Sequence, residues 1–162
     1  MNNFKKMVQN FKVVYAVQPK DWTGAAAVGD YVSLKGYGHC TIVIQTGSMA
    51  GTAAAVTVNQ AKTVAAGSVK ALTFSEMWTG CVSGTDDILA RTTVTANTFT
   101  LAVDNSLYII EVNAEDLDAA NDFDCLSLAI ATPGTSTDIY GGLYILGQGR
   151  YLGEPPLTAI TD

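Results

Sequence analysis

Few side chains in this chain could carry chemistry, and their spacing decides what each can do. His39, the single histidine, abuts Cys40. Neighbours on a strand point to opposite faces, so the two do not form a nucleophile and its base. Cys81 or Cys125 would have to reach His39 through space, which no spacing demands. Five carboxylates, Glu115, Asp116, Asp118, Asp122 and Asp124, crowd one acidic segment. Such oxygens suit a hard cation, and paired acids also serve glycosidic hydrolysis. The segment nevertheless lacks the spacing and central glycine of an EF-hand loop, and nothing beside it would raise one carboxyl's pKa. It reads as a solvated turn between strands, held by local capping. The loop Gly47-Ser48-Met49-Ala50-Gly51-Thr52 has no lysine before its threonine, so it is no phosphate cradle. Trp22, Trp78 and the tyrosines at 15, 31, 37, 108, 140, 144 and 151 could line a sugar-binding face, although such rings more often fill cores and interfaces. The residues therefore assign no catalytic group, no metal ligand and no cofactor, and the chain is expected not to be an enzyme.

The elements that position these residues belong to a sheet protein. Apolar or alternating runs fall at 12–17, 31–34, 39–46, 54–59, 69–74, 97–103, 107–112, 124–131 and 139–146. Turn signals separate them, among them Gly36-Tyr37-Gly38, Ser83-Gly84-Thr85-Asp86, Asp104-Asn105 and Pro133-Gly134-Thr135-Ser136. One helical turn is expected at Ser75–Trp78, capped by Ser75, and another at Ala114–Asp118. Phe99, Leu101 and Val103 oppose Thr98, Thr100 and Ala102, and Val56 and Val58 oppose Thr57 and Asn59, so each pair of sets divides a core face from a wetter one. The runs 39–46 and 107–112 are apolar on both faces. That pattern fits central strands of a two-layer structure, or strands covered by another subunit. The expectation is an all-β, single-domain β-sandwich of jelly-roll type, with an immunoglobulin-like sandwich as the alternative.

At 162 residues the chain is long enough for one self-sufficient core. Its composition, 48% hydrophobic and only 15% charged, suggests surface covered by a partner. Three separated cysteines without a C-x-x-C pair fit folding in a reducing cytosol, and the stretch Val13–Val17 is too short for a signal peptide. No segment approaches a membrane span. Charge is uneven: Lys5, Lys6, Lys12 and Lys20 give the first twenty residues +4 of the net −6, leaving −10 for the remainder from five basic and fifteen acidic groups. We expect a basic N-terminal arm over residues 1–23, a sandwich domain over 24–152 and an extended tail over 153–162, where Pro155-Pro156 discourages a strand. The arm's candidate partner-binding residues are Phe4, Lys5, Lys6, Phe11, Lys12, Tyr15, Lys20 and Trp22. Four lysines without arginine make a poor phosphate footprint, so a protein partner is expected rather than nucleic acid, and no membrane.

A resemblance adds to this reading. The stretches Val32-Ser33-Leu34-Lys35-Gly36-Tyr37-Gly38-His39-Cys40-Thr41-Ile42-Val43-Ile44, Ala71-Leu72-Thr73-Phe74-Ser75-Glu76-Met77-Trp78, Tyr108-Ile109-Ile110-Glu111-Val112, Leu117-Asp118, Phe123-Asp124-Cys125-Leu126 and Leu143-Tyr144-Ile145-Leu146 with Arg150-Tyr151 resemble a group of small tailed-bacteriophage proteins. The similarity covers most of residues 28–151. It implies a virion structural protein of the capsid decoration, or cement, type. The implied partner is the major capsid protein, the implied place the outer surface of the capsid after synthesis in the host cytoplasm, and the implied assembly a homo-oligomer, a trimer by analogy. A head-to-tail connector, a tail component or a head-fibre component fits the same neighbourhood. A carbohydrate-binding module using Trp22 or Trp78 is the alternative from another class.

Overall fold

The computed structural model describes residues 7–51, 53–150 and 158–161. A helical turn, α1 (Met7–Asn10), leads into β1 (Lys12–Asp21), β2 (Ala27–Val28), β3 (Val32–Ser33), β4 (Tyr37–Met49), β5 (Ala54–Ala61) and β6 (Lys70–Ala71). There follow β7 (Glu76–Gly80), β8 (Leu89–Thr93), β9 (Thr98–Leu101), β10 (Leu107–Asn113), β11 (Cys125–Ile130) and β12 (Asp138–Gly149). Two 3₁₀ turns, Ala114–Asp116 and Ala119–Asn121, lie between β10 and β11.

Two antiparallel sheets pack face to face. The first has the order β1-β12-β4-β10-β7-β8; the second runs β2-β11-β5-β6, with β3 also on β11 and β9 also on β5. The strands β2 and β3 meet β11 at successive positions and so form one interrupted edge, as do β6 and β9 along β5. The pairing is then nested: first strand with last (β1–β12), the β2/β3 edge with β11, β4 with β10, and β5 with the β6/β9 edge. A nested hairpin rolled into two sheets is a jelly roll, the first of the two expected topologies. The β7–β8 hairpin is an insertion that adds two strands to the outer edge of β10.

The core lies between the sheets and is built by alternation. Ile42 and Ile44 of β4, Ile110 and Val112 of β10, and Tyr144 and Leu146 of β12 point inward and are buried against Val56, Val58, Leu126, Leu128 and Ile130 of the second sheet. Two tyrosines also bond across the gap. The Tyr144 hydroxyl accepts the Leu128 N–H at 2.9 Å, and the Tyr108 hydroxyl accepts the N–H groups of Ala102 and Val103 at 3.0 and 3.1 Å. Near the first of these struts, a Cβ on Gly29 would stand 2.8 to 2.9 Å from the Ala16 and Leu128 carbonyls and the Tyr144 hydroxyl, so only glycine fits.

Three local expectations change. Ser75–Trp78 is not a helical turn: Glu76–Gly80 is β7, because Met77 finds the core while Trp78 pairs with Ile109 on the open edge of β10. Residues 12–21 of the expected arm are the edge strand β1, integral to the first sheet through ladder pairs from Lys12–Leu146 to Asp21–Ile139. The ladder slips on both sides of Val17, and Pro19, which offers no N–H, is tolerated because β1 lies on an edge. In the tail, Ala159 is buried and its carbonyl accepts the Ser33 N–H at 2.7 Å, so this part packs on its own domain; residues 153–157 lie outside the described residues.

Replacing Tyr144 with Phe leaves the buried Leu128 N–H without its acceptor, and should lower unfolding stability by about 1–3 kcal/mol in chemical denaturation while the fold is retained.

Candidate functional site

His39 stands on the outer surface of β4, opposite Asn113, with Thr41 opposite Glu111. Its Nδ1 lies 3.0 Å from Asn113 Oδ1 and its Nε2 bonds the Glu111 carboxylate, which also accepts the Thr41 hydroxyl at 2.8 Å. Both ring nitrogens are thus engaged in a cross-strand ladder, and neither is left to activate a nucleophile. Cys40 points the other way and is wholly buried; burial above all, and then the Glu111 charge, pushes its thiol far above the usual range, so it stays protonated. Cys81 donates to the Asp87 carbonyl and Cys125 to Asp124 Oδ1, and no two cysteines are disulfide-bonded.

The acidic segment is closed by the chain's own groups. The Lys70 ammonium pairs with Asp118 and sits 4.2 Å from the centre of the Phe123 ring. Asn121 donates to both Asp118 oxygens at 2.9 Å, and Asp116 accepts the Asn113 N–H at 2.7 Å. Among the described residues no three His, Cys, Asp or Glu side chains converge on a metal position. The Lys70 hydrogen bond, with Asn121 second, holds the Asp118 carboxyl below its ordinary value.

The expected partner-binding residues divide. Phe4, Lys5 and Lys6 lie outside the described residues. Trp22 is tied into the sandwich: it stacks on Tyr140 at 6.0 Å and 10°, the Lys20 ammonium lies 4.0 Å from its ring centre, and its indole N–H donates to the Gln18 carbonyl. Tyr140 beneath it is buried, and that burial together with the Asp138 charge pushes its hydroxyl up to about 12. Lys12 is half-buried on β1. Phe11 lies over Gly147 of β12, where a Cβ would come within 2.9 Å of its ring. Tyr15 and Val13 project outward from β1, 62% and 42% exposed.

Those outward residues belong to a larger surface. On the outer face of the first sheet the ladders align Tyr15, Leu143, Val43, Ile109, Trp78 and Arg91 in one row across all six strands. Beside it run Val13 and Ile145, then Thr41 and Glu111. A groove of about 540 Å³ opens in this face, lined by Tyr15, Pro19, Val43, Ile139, Gly141 and Leu143; Pro19 packs over Gly141 at 2.7 to 3.0 Å from where a Cβ would stand. The charged residues sit at its rim and are neutralised there: Arg91 pairs with Glu76 at 2.9 Å, and Glu111 bonds His39 and Thr41. An apolar centre with a satisfied polar rim is the anatomy of a protein interface. Of this surface the candidate residues above included only Phe11 and Tyr15.

No family model matches the sequence, and no curated protein matches it. Among solved structures the chain is similar to the SPBc2 prophage-derived protein YomS, at 10% sequence identity and a TM-score of 0.49 over 85% of this chain and 94% of that one.

The closed acidic turn generates a pH prediction. Asp118's lowered pKa contributes stability that is present above the ordinary carboxylate value and is lost as the pH falls through the folded value beneath it. Lys70→Met should therefore lower the denaturation midpoint at neutral pH, and its gap from wild type should close as the pH drops below 3.8. Added calcium should leave the wild-type midpoint unchanged.

Proposed function

We propose that this protein is a non-enzymatic structural component of a phage virion, a decoration protein that binds the outer capsid lattice through the major capsid protein and stabilises the head. The observation that carries the reading is the apolar face spanning the first sheet, which no other element among the described residues covers. A monomeric domain has little use for a row of Tyr15, Leu143, Val43, Ile109 and Trp78 turned toward solvent, whereas an assembly subunit does. The sequence resemblance to small tailed-phage virion proteins supports the same class.

The charge distribution supports a division of labour. Lys12 and Lys20 lie on the edge strand β1, in register with the inward-facing Leu146 and Tyr140 and so on the other side of the strand from Val13 and Tyr15; they follow Lys5 and Lys6 in a basic stretch, while residues 21–162 carry −10. That basic stretch docks on an acidic capsid surface, and the apolar face gathers copies into a homo-oligomer. Contacts that are individually weak become strong when several copies engage a repeating lattice. Trp22 stacks on Tyr140 and has the Lys20 ammonium 4.0 Å from its ring centre, contacts that tie it into the sandwich and disfavour it as a carbohydrate platform.

Quantitative mass analysis of purified virions, with a cryo-EM map, tests the proposal. A copy number comparable with that of the major capsid protein and density on the outer shell is the expected result. A dozen or fewer copies (roughly one ring at a single vertex) would move the protein to the connector, tail or head fibre, and absence from particles would overturn the virion reading altogether.

A further inference from the structure

The order of strands in the first sheet specifies an occupant for its apolar face. Half-buried Trp78 stands on β7 in the same ladder row as Leu143 on β12. In the order β1-β12-β4-β10-β7-β8, the strands β12 and β7 are symmetric about the seam between β4 and β10. A two-fold axis along that seam exchanges β12 with β7 and β1 with β8. It brings Trp78 of each copy against Leu143 of the other, Val43 against Ile109, and Tyr15 against Arg91, a ring and a guanidinium suited to cation–π contact. We propose that the outer face of the first sheet is an isologous dimer interface occupied by a second copy of this chain.

Charge supports that occupant. Two chains of net charge −6 repel overall, and a surface whose charges are already paired lets them meet at little electrostatic cost. On this face Glu76 is paired with Arg91, Glu111 is bonded to His39 and Thr41, and the interior of the row is apolar. A strongly charged partner would find nothing to pair with there, whereas an identical face is complementary. Size agrees as well. Four strands of about seven or eight residues and the five-residue β7 and β8, at about 4.8 Å between strands and about 3.3 Å per residue, give roughly 600 Å² in projection, the low end of what each partner contributes to a standard interface. Aligned sheets of two subunits would cross at about 30°.

Edge pairing is the weaker route. The β1 edge carries Pro19, a ladder slip on each side of Val17, and Lys12 and Lys20, the devices that keep a strand edge from adding another. The face-to-face dimer therefore differs from the three-fold assembly that the resemblance implies. It shares with the virion reading only the premise that this face is an interface, and the two are tested separately.

Sedimentation equilibrium of the full-length chain, without capsids, tests the dimer. The expected mass is that of two chains. Tyr15→Asp and Ile109→Lys should each weaken association by at least about thirtyfold, as loss of an interface hot spot does, with unchanged circular dichroism. Tyr15 is mostly exposed, so its substitution leaves the core intact. In a Cys81→Ser background, a chain carrying both Tyr15→Cys and Arg91→Cys should be joined to a second chain by a short bismaleimide, which spans the gap of about 10 Å between facing sheets, and Tyr15→Cys alone should not. A monomer up to about 100 µM, well above the micromolar range a standard-size interface reaches, would overturn the inference. So would a trimer, or a dimer indifferent to both substitutions. Virion copy number is read independently, so loss of the dimer with capsid occupancy intact sinks this inference alone, and the reverse sinks only the decoration reading.

Discussion

A strand in the middle of a sheet has two faces, and each apolar face needs a cover. β4 is that strand here, bonded along one side to β12 and along the other to β10, and the architecture is arranged around it. Its inward residues Ile42 and Ile44 are covered by the second sheet, at a spacing that the Tyr144 and Tyr108 hydroxyls bond across. Its outward residue Val43, with Leu143 and Ile109 beside it in the ladder, has no cover from any other element among the described residues. The nested pairing that makes the jelly roll stable on one side leaves a broad apolar row on the other. Association is the physical remedy for such a surface, because burying it removes apolar area from water at about 25 cal/mol per Å².

Several polar and charged groups bond across this arrangement. His39, Thr41, Glu111 and Asn113 form a ladder across the paired strands β4 and β10. Lys70, Asp118 and Asn121 close the turn that carries the chain from β10 to β11, while Asp118 N–H reaches Gln60 of β5 at 2.9 Å and ties that turn to the second sheet. Groups that look chemical when viewed singly have their hydrogen-bonding capacity taken by neighbours in the fold. A carboxylate held by an ammonium, or an imidazole held by two acceptors, is set to stabilise a turn or a strand end.

Much of this was legible in the chain before folding. The alternation of Leu126, Leu128 and Ile130, of Val56 and Val58, and of Phe99 and Leu101 marked the core face, and all of these side chains are buried; Val103, assigned to the same face, lies past the end of β9 and is 43% exposed. The two-sided apolar runs at 39–46 and 107–112 marked the central strands, and they are the adjacent pair β4 and β10. The short strands were harder to read. Leu89–Thr93 has neither an apolar period nor a buried residue, and becomes β8 only because β7 offers it an edge; Ser75–Trp78 carries a capping serine that favours a helical turn locally, and the open edge of β10 overrides it.

The sequence by itself determined the class of fold, the central strands and the lack of any spaced catalytic motif, because side-chain period and turn residues act within a few positions along the chain. Only the tertiary structure decided that Tyr15, Leu143, Val43, Ile109 and Trp78 stand in one row, that Lys70 closes the acidic turn, and that residues 12–21 are an edge strand and not an arm. Those relations join residues separated by tens to more than a hundred positions, and they are set by ladder register, which no local pattern encodes.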